Sequence, residues 1–174
     1  MRIKYTCKEV LSMALAQTQF HPIPPLFDEH SRTLILGSFP SVKSREANFF
    51  YGHPQNRFWR VIAALTNAPI PQSVAEKTEL ILSNHFALWD SIGSCSIIGS
   101  SDSSIKDVVA NDLRIITQHA PIERIFCNGS TSLSIYRKYI EPTLQHPAQL
   151  LPSSSPANAA WSLERLIEAW RIIL

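Results

Sequence analysis

Thr33-Leu-Ile-Leu-Gly-Ser-Phe-Pro-Ser41 is the stretch on which the fold turns. A short apolar run stops at a glycine and gives way to small polar residues, which reads as a buried strand opening into a loop. A strand buried on both faces belongs to a parallel sheet, whose neighbours must be reached through crossover helices. The rest of the chain supplies that alternation. Helices are expected over residues 54–67, with Phe58, Ile62 and Leu65 on one face and Pro54 in the first turn, and over 73–83, with Val74, Leu80 and Ile81. Phe86-Ala-Leu-Trp89 reads as the second strand, Asp90 to Ser104 as a Ser/Gly-rich loop, and 105–118 as a helix. Ile122 to Cys127 is the third strand, and Ser130 to Ile140 a helix with Ile135, Tyr139 and Ile140 turned inward. Gln149-Leu-Leu151 makes a short fourth strand, and Leu163, Leu166, Ile167, Trp170 and Ile173 recur at helical spacing in the last helix. The expected architecture is a three-layer α/β/α sandwich around a four-stranded, mainly parallel sheet.

Working outward, 174 residues with 45% hydrophobic content suit one compact domain with a sizeable core. That domain is expected over residues 33–174, with residues 1–32 as an N-terminal extension, partly helical, interrupted by His21-Pro-Ile-Pro-Pro25, which no helix crosses. Val10 to Ala16 has the outline of a signal-peptide core, but Glu9 at its edge favours an amphipathic or frayed helix. A net charge of +2 excludes the globally basic footprint of many nucleic-acid binders, so any such contact must rest on local groups. Cys7, Cys95 and Cys127 show no zinc-site spacing and read as reduced thiols of a cytoplasmic protein. Asn128-Gly-Ser130 matches a glycosylation acceptor by accident of spacing. No apolar run reaches 18 residues, so no membrane contact is expected.

In an open parallel sheet, ligands bind beyond the carboxyl ends of the strands. Here those ends are Gly37-Ser-Phe-Pro-Ser41, Asp90-Ser-Ile-Gly93, Asn128-Gly-Ser130 and Pro152-Ser-Ser-Ser-Pro156. Four small, polar ends together favour a polar cleft over ordinary loop composition. Ser155 before Pro156 reads as a helix N-cap with Pro at the first helical position, which would offer an anion site. Phosphate-loop, dinucleotide and nucleophile-elbow motifs are absent. The chemically densest stretch is Phe49-Phe-Tyr-Gly-His-Pro-Gln-Asn-Arg-Phe-Trp59. Phe58 and Trp59 suit the core, and His53 suits a turn or cap, whereas Tyr51 and Asn56 fit neither core face. Lys43, Arg45, Arg57 and Arg60 make this the locally basic region, and aromatics among basic groups beside a polar cleft suit a nucleobase and its phosphates.

Taken together, Leu34-Ile-Leu-Gly-Ser-Phe-Pro-Ser41, Tyr51-Gly-His-Pro-Gln-Asn-Arg-Phe-Trp59, Leu88-Trp-Asp-Ser-Ile-Gly-Ser-Cys95 with Gly99-Ser-Ser-Asp-Ser-Ser-Ile105, and Leu151-Pro-Ser-Ser-Ser-Pro-Ala-Asn158 resemble the uracil-DNA glycosylase superfamily, most of all its hypoxanthine-DNA (DNA-deoxyinosine) glycosylase branch. The resemblance runs from about residue 33 to the C-terminus. It implies a monomeric, monofunctional glycosylase without metal or cofactor, acting on DNA that contains a deaminated base. The first motif carries Phe39 where mismatch-uracil enzymes carry a water-holding Asn, so the resemblance assigns catalysis to Asn56 and favours hypoxanthine over uracil. It implies that Gly37, Ser38, Phe39, Tyr51 and Asp102 meet the flipped base. Ser41, His53, Ser153, Ser154, Ser155 and Asn158 would meet the DNA strand.

On this reading Asn56 orients a water through its side-chain carbonyl, backbone N–H groups around Gly37 to Phe39 stabilise the departing base, and Phe39 or Tyr51 stacks on it. Three other readings compete: a uracil or G/U-mismatch glycosylase, a non-catalytic DNA-binding module on the same fold, and a small-molecule hydrolase using Cys127 or a Ser.

Overall fold

A computed structural model describes residues 17–174. The expected N-terminal helix, the Val10–Ala16 stretch and Cys7 lie outside the described residues. The described residues include seven strands: β1 (Gln17–Phe20), β2 (Thr33–Gly37), β3 (Phe86–Asp90), β4 (Ile92–Ile97), β5 (Lys106–Ala110), β6 (Arg124–Asn128) and β7 (Ala148–Leu151). Four of them form the expected parallel sheet in the order β3-β2-β6-β7. Central β2 is buried at every position, with Leu34, Ile35 and Leu36 at 0% exposure. Burial of this kind stabilises by about 1.5–3 kcal/mol per aliphatic side chain. The register sets Gly37 beside Asp90, Leu36 beside Cys127, and Asn128 beside Leu151. The carboxyl ends of all four strands are therefore level, and the loops that leave them meet.

The helices flanking the sheet are α1 (Val42–Ala47), α2 (Phe58–Leu65), α3 (Val74–Ser83), α4 (Arg114–Thr117), α5 (Ser130–Ile135), α6 (Glu141–Leu144) and α7 (Leu163–Trp170). The start of α3 follows from its sequence: Ser73 and Glu76 form a reciprocal capping box. The last helix turns Leu166 and Trp170 fully inward, and Trp170 meets Phe58 of α2 edge-on at 5.8 Å between ring centroids.

Several elements differ from the sequence reading. The stretch 105–118 is not one helix: its first half is β5, antiparallel to β4, and β4 occupies the expected Ser/Gly-rich loop. Ile105, Val108 and Val109 happen to fit helical spacing, but β-branched residues facing an available strand pair instead. β4 also pairs antiparallel with β1, making a second, three-stranded sheet. Residues 17–32 are consequently built into the domain, with Ile23 buried and Leu26 bridging Leu88. Helix α2 starts at Phe58, four residues later than expected, because residues 51–57 make turns. The long polar loop after β2 contains α1, capped by Ser41. After α5 the chain makes a π turn over Tyr136–Ile140, whose extra residue shifts the helical phase. Tyr136 is thereby buried and Tyr139 is left exposed, reversing the expectation for Tyr139.

Trp170 links packing to the cleft, because its indole N–H also donates to the Pro152 carbonyl at 2.9 Å. Trp170→Ala is expected to lower the unfolding free energy by about 3–5 kcal/mol in urea titration.

Candidate active site

Beyond the level strand ends lies a cleft of about 920 Å³, walled by the segments that follow β2, β4, β6 and β7, with Asp90 at the end of β3. Gly37, Ser38, Phe39 and Ser41 line one side of it, and Tyr51, His53, Asn56 and Asp102 contribute from the next segments. Ser153, Ser154, Ser155 and Asn158 close the far side. Residues spread over more than a hundred positions of sequence are thus brought to one cavity.

Asn56 sits where the turn enters α2. Its Oδ1 accepts the Phe58 N–H at 2.9 Å and the Ser154 hydroxyl at 2.9 Å. A main-chain N–H can only donate, so this contact fixes which amide atom is oxygen. Both lone pairs of the carbonyl are engaged, and the NH2 group is what Asn56 has to offer the cleft. This corrects the expectation that its carbonyl holds a water. Ser154 is fully buried rather than facing a phosphate. Its Oγ accepts from Asn128 Nδ2 at 2.9 Å and its N–H donates to Asn128 Oδ1 at 2.9 Å. A chain of hydrogen bonds therefore runs Asn128–Ser154–Asn56 and locks the amide. Asn128 uses both amide atoms on Ser154, which leaves the glycosylation match without an accessible acceptor.

No helix begins at Pro156: residues 152–162 are turns, and α7 starts only after Ser162, which caps it. The expected helix-end anion site at Ser155 is thus absent. What organises this loop is Arg57, whose guanidinium donates to the carbonyls of Ser154, Ser155, Asn158 and Trp161. Arg57, expected among the DNA-facing cations, is committed to the fold. Other polar groups are engaged locally. Arg45 donates to the Pro40 carbonyl at 2.7 Å and lies over the Phe39 ring, and Lys43 pairs with Glu46. His53 accepts the Gln55 N–H in a turn. Asn158 donates from Nδ2 to the Ser153 carbonyl at 2.9 Å.

At the floor, Tyr51 adopts a left-handed backbone conformation, φ 52°, uncommon for an aromatic residue. Its ring stacks on Phe58 at 3.8 Å, so one face is already occupied and stacking on a ligand falls to Phe39 or the other face. The Tyr51 hydroxyl is buried without a hydrogen-bond partner. Burial, with the Asp90 charge adding to it, raises its pKa well above the ordinary range, so it remains a phenol and a donor. Asp102 accepts the Ser38 hydroxyl at 3.0 Å. Its carboxyl is raised above its ordinary range by lost hydration, and the Ser38 hydrogen bond offsets part of that rise. The N–H groups of Ser38 and Phe39 carry no hydrogen bond among the described residues.

The profile of the uracil DNA glycosylase superfamily matches residues 24–173, nearly the whole described chain. The chain belongs to the uracil DNA glycosylase superfamily. It is 33% identical over 154 residues to a hypoxanthine DNA glycosylase of Methanosarcina acetivorans, covering 86% of this chain and 94% of that one. A hypoxanthine DNA glycosylase of Methanosarcina barkeri is 34% identical over 141 residues, covering 78% and 85%. The solution NMR structure of a candidate uracil DNA glycosylase from M. acetivorans superimposes with a TM-score of 0.72 at 29% identity, covering 87% of this chain and 96% of that one.

The strand-end reading placed Asp90 and Asn128 at the cleft without giving either a role, and both line it. His21, which pairs with Asp90 from behind, lies in the segment read as an extension and offered no signal. Cys127 is fully buried and its thiol is pushed up to about 12 by that burial, which removes the thiolate that a hydrolase reading needs. Among the described residues no group of three His, Cys, Asp or Glu side chains could hold a metal ion, and no helix is long and apolar enough to cross a membrane.

Arg57→Lys keeps the charge but cannot reproduce a planar fork reaching four carbonyls. Hydrogen exchange at residues 152–162 is expected to accelerate, and stability to fall by at least ~2 kcal/mol, as carbonyls lose a charged donor. An unchanged exchange pattern would refute the role of Arg57 as the loop's tie.

Proposed function

We propose that this chain is a DNA glycosylase that hydrolyses the N-glycosidic bond of a flipped deaminated base, with hypoxanthine as the first substrate. The carrying observation is the cleft itself, where a locked amide, Asn56, shares one cavity with unengaged N–H donors at Ser38 and Phe39. The names of the M. acetivorans and M. barkeri relatives support the choice of hypoxanthine.

A base inside a duplex must leave the stack before its glycosidic bond can be reached, and a weak mispair lowers that cost. Once flipped, its departure takes the bonding electron pair onto the ring. The N–H groups of Ser38 and Phe39 stabilise this developing charge, and preorganised donors of this kind contribute ~3 kcal/mol each. Asn56 is no base, so water attacks after positive charge has built on the sugar. Its NH2 group donates to one lone pair of that water, which leaves the other for C1′. The proton lost by the water balances the one gained by the base anion. Ser153, Ser155 and Asn158 meet the strand on either side through hydroxyl, amide and main-chain groups.

Labelled duplexes carrying hypoxanthine, uracil or xanthine, incubated with the protein and cleaved at abasic sites by alkali, test this directly. Strand breaks at hypoxanthine are expected, and DNA binding with no abasic product would favour the non-catalytic module. Asn56→Ala should fold and bind DNA yet lose excision by at least ~100-fold. With Arg57, Arg45 and Lys43 engaged within the protein, few phosphates are neutralised by side-chain charge. The slope of log K against log salt is therefore expected to correspond to well under roughly eight phosphates.

A further inference from the structure

The cleft contains two carboxyl groups, and their surroundings differ. Asp90, at the end of β3, has a basic partner: His21 Nε2 lies 2.6 Å from its Oδ2. Asp102, on the segment that follows β4, has none, since no Lys, Arg or His of the described residues forms an ion pair with it. Its partner is the Ser38 hydroxyl, 3.0 Å from Oδ2 and 3.2 Å from Oδ1. A hydroxyl has one proton to donate, so one carboxyl oxygen accepts it and the other is open to the cleft. The loop around Asp102 is fastened on both sides. Residues Asp102 to Ser104 make a short 3₁₀ turn, the Ser104 hydroxyl accepts the Ile98 N–H at 2.9 Å, and the Ser100 hydroxyl accepts the Val42 N–H at the start of α1 at 2.9 Å. Asp102 is thus held against Ser38, the residue whose N–H stabilises the departing base. Lost hydration raises its carboxyl above the ordinary range, the Ser38 and Thr131 hydroxyls offset part of that rise, and the Asp90 charge adds to it. The other charged or titratable groups around it are His21 behind Asp90, Cys95 of β4, Arg45 of α1, and His53 on the same cleft.

Like charges in one cleft disfavour each other's ionisation, so the carboxyl without a basic partner is the one suited to hold a proton. We propose that Asp102 is the general acid of the reaction, passing its proton to N7 of the flipped purine as the glycosidic bond breaks. The assignment depends on the glycosylase reading for its substrate and adds a catalytic residue to it. Main-chain N–H groups stabilise charge on the departing ring but keep their protons, whereas a carboxylic acid gives its own up. N7 is the nitrogen of the five-membered ring with a free lone pair, and its protonation lets the base leave as a neutral molecule rather than an anion. The proton passes from Asp102 to N7, the C1′–N9 bond breaks, and the electron pair of that bond passes to the ring. Water then forms the new C1′–O bond, and the proton it sheds returns to the Asp102 carboxylate through solvent. While Asp102 is ionised, the Ser38 hydroxyl remains its donor. Uracil has no ring nitrogen with a free lone pair, so an acid at this position aids the loss of a purine and gives little to a pyrimidine.

The test is single-turnover excision from duplexes carrying hypoxanthine or 7-deazahypoxanthine, in which a C–H replaces N7 and accepts no proton. Asp102→Asn keeps the size of the side chain and an acceptor for Ser38 but has no acidic proton to give. It should fold with an unchanged thermal midpoint and excise hypoxanthine ~100-fold more slowly, or slower still. The wild-type chain should itself be slowed on 7-deazahypoxanthine, and Asp102→Asn should add no more than ~3-fold to that loss, because acid and acceptor act as one pair. On hypoxanthine the wild-type rate should be level at low pH and fall about tenfold per pH unit once Asp102 ionises, and Asp102→Asn should lose that limb. A limb that persists in Asp102→Asn belongs to His21, His53 or another surrounding group and overturns the proposal. So does an Asp102→Asn chain that keeps the wild-type rate on hypoxanthine, or one slowed equally on both bases. Equal wild-type rates on the two bases overturn it without any variant. A wild-type chain that excises neither base refutes the glycosylase reading, and this assignment with it. An active chain that gives any of the other overturning results refutes the role of Asp102 alone.

Discussion

One guanidinium holds the cleft together. Arg57 lies at the entrance to α2, and the four carbonyls it gathers belong to a loop about a hundred residues further along the chain. That loop has no helix of its own to satisfy its backbone, and buried carbonyls left without donors are penalised. A fork with several N–H groups in fixed geometry meets the need from one side chain. The consequence for function is direct, because the adjacent residue is Asn56. Tying the loop to Arg57 also brings Ser154 to the Asn56 amide, and Asn128 at the end of β6 fixes Ser154 from behind. The candidate catalytic group is held through residues that are themselves locked into the fold.

The floor of the cleft follows the opposite rule. Around Asp90 the structure leaves polar groups unpaired, keeps Tyr51 at positive φ, and brings a carboxylate oxygen against Gly37. Each feature lowers stability if considered within the protein alone. The parallel sheet beneath tolerates them because its core, with β2 buried at every position, carries the stability of the domain. A rigid apolar base and a polar, under-satisfied upper surface are thus complementary parts of one arrangement, the second depending on the first.

Much of this architecture was legible from residue pattern. Aliphatic runs such as Leu34-Ile-Leu36 specify buried parallel strands, and the strand ends then locate the cleft by topology. The second sheet was not legible. Ile92-Gly-Ser-Cys-Ser-Ile97 has too weak an alternation to distinguish a strand from a loop, and residues 105–118 fit a helical period by coincidence. The second is decided by pairing with β4, and the first in turn by pairing with β1, a partner more than seventy residues away in sequence. The same pairing carries His21 to Asp90, which is why a histidine in a proline-rich lead-in carried no local sign of its position.

The division is physical. Local sequence determines what depends on neighbours within a few turns: strand and helix periodicity, the Ser73–Glu76 cap, and the polar character of the loops that rim the cleft. Only the tertiary structure decides which atoms of those loops remain available. It turns Asn56 so that its NH2 and not its carbonyl is open, commits Arg57 to carbonyls rather than phosphates, and buries Ser154. A hydrogen-bonding group has a limited number of donors and acceptors. How many are already engaged depends on partners that only the folded chain brings within 3 Å.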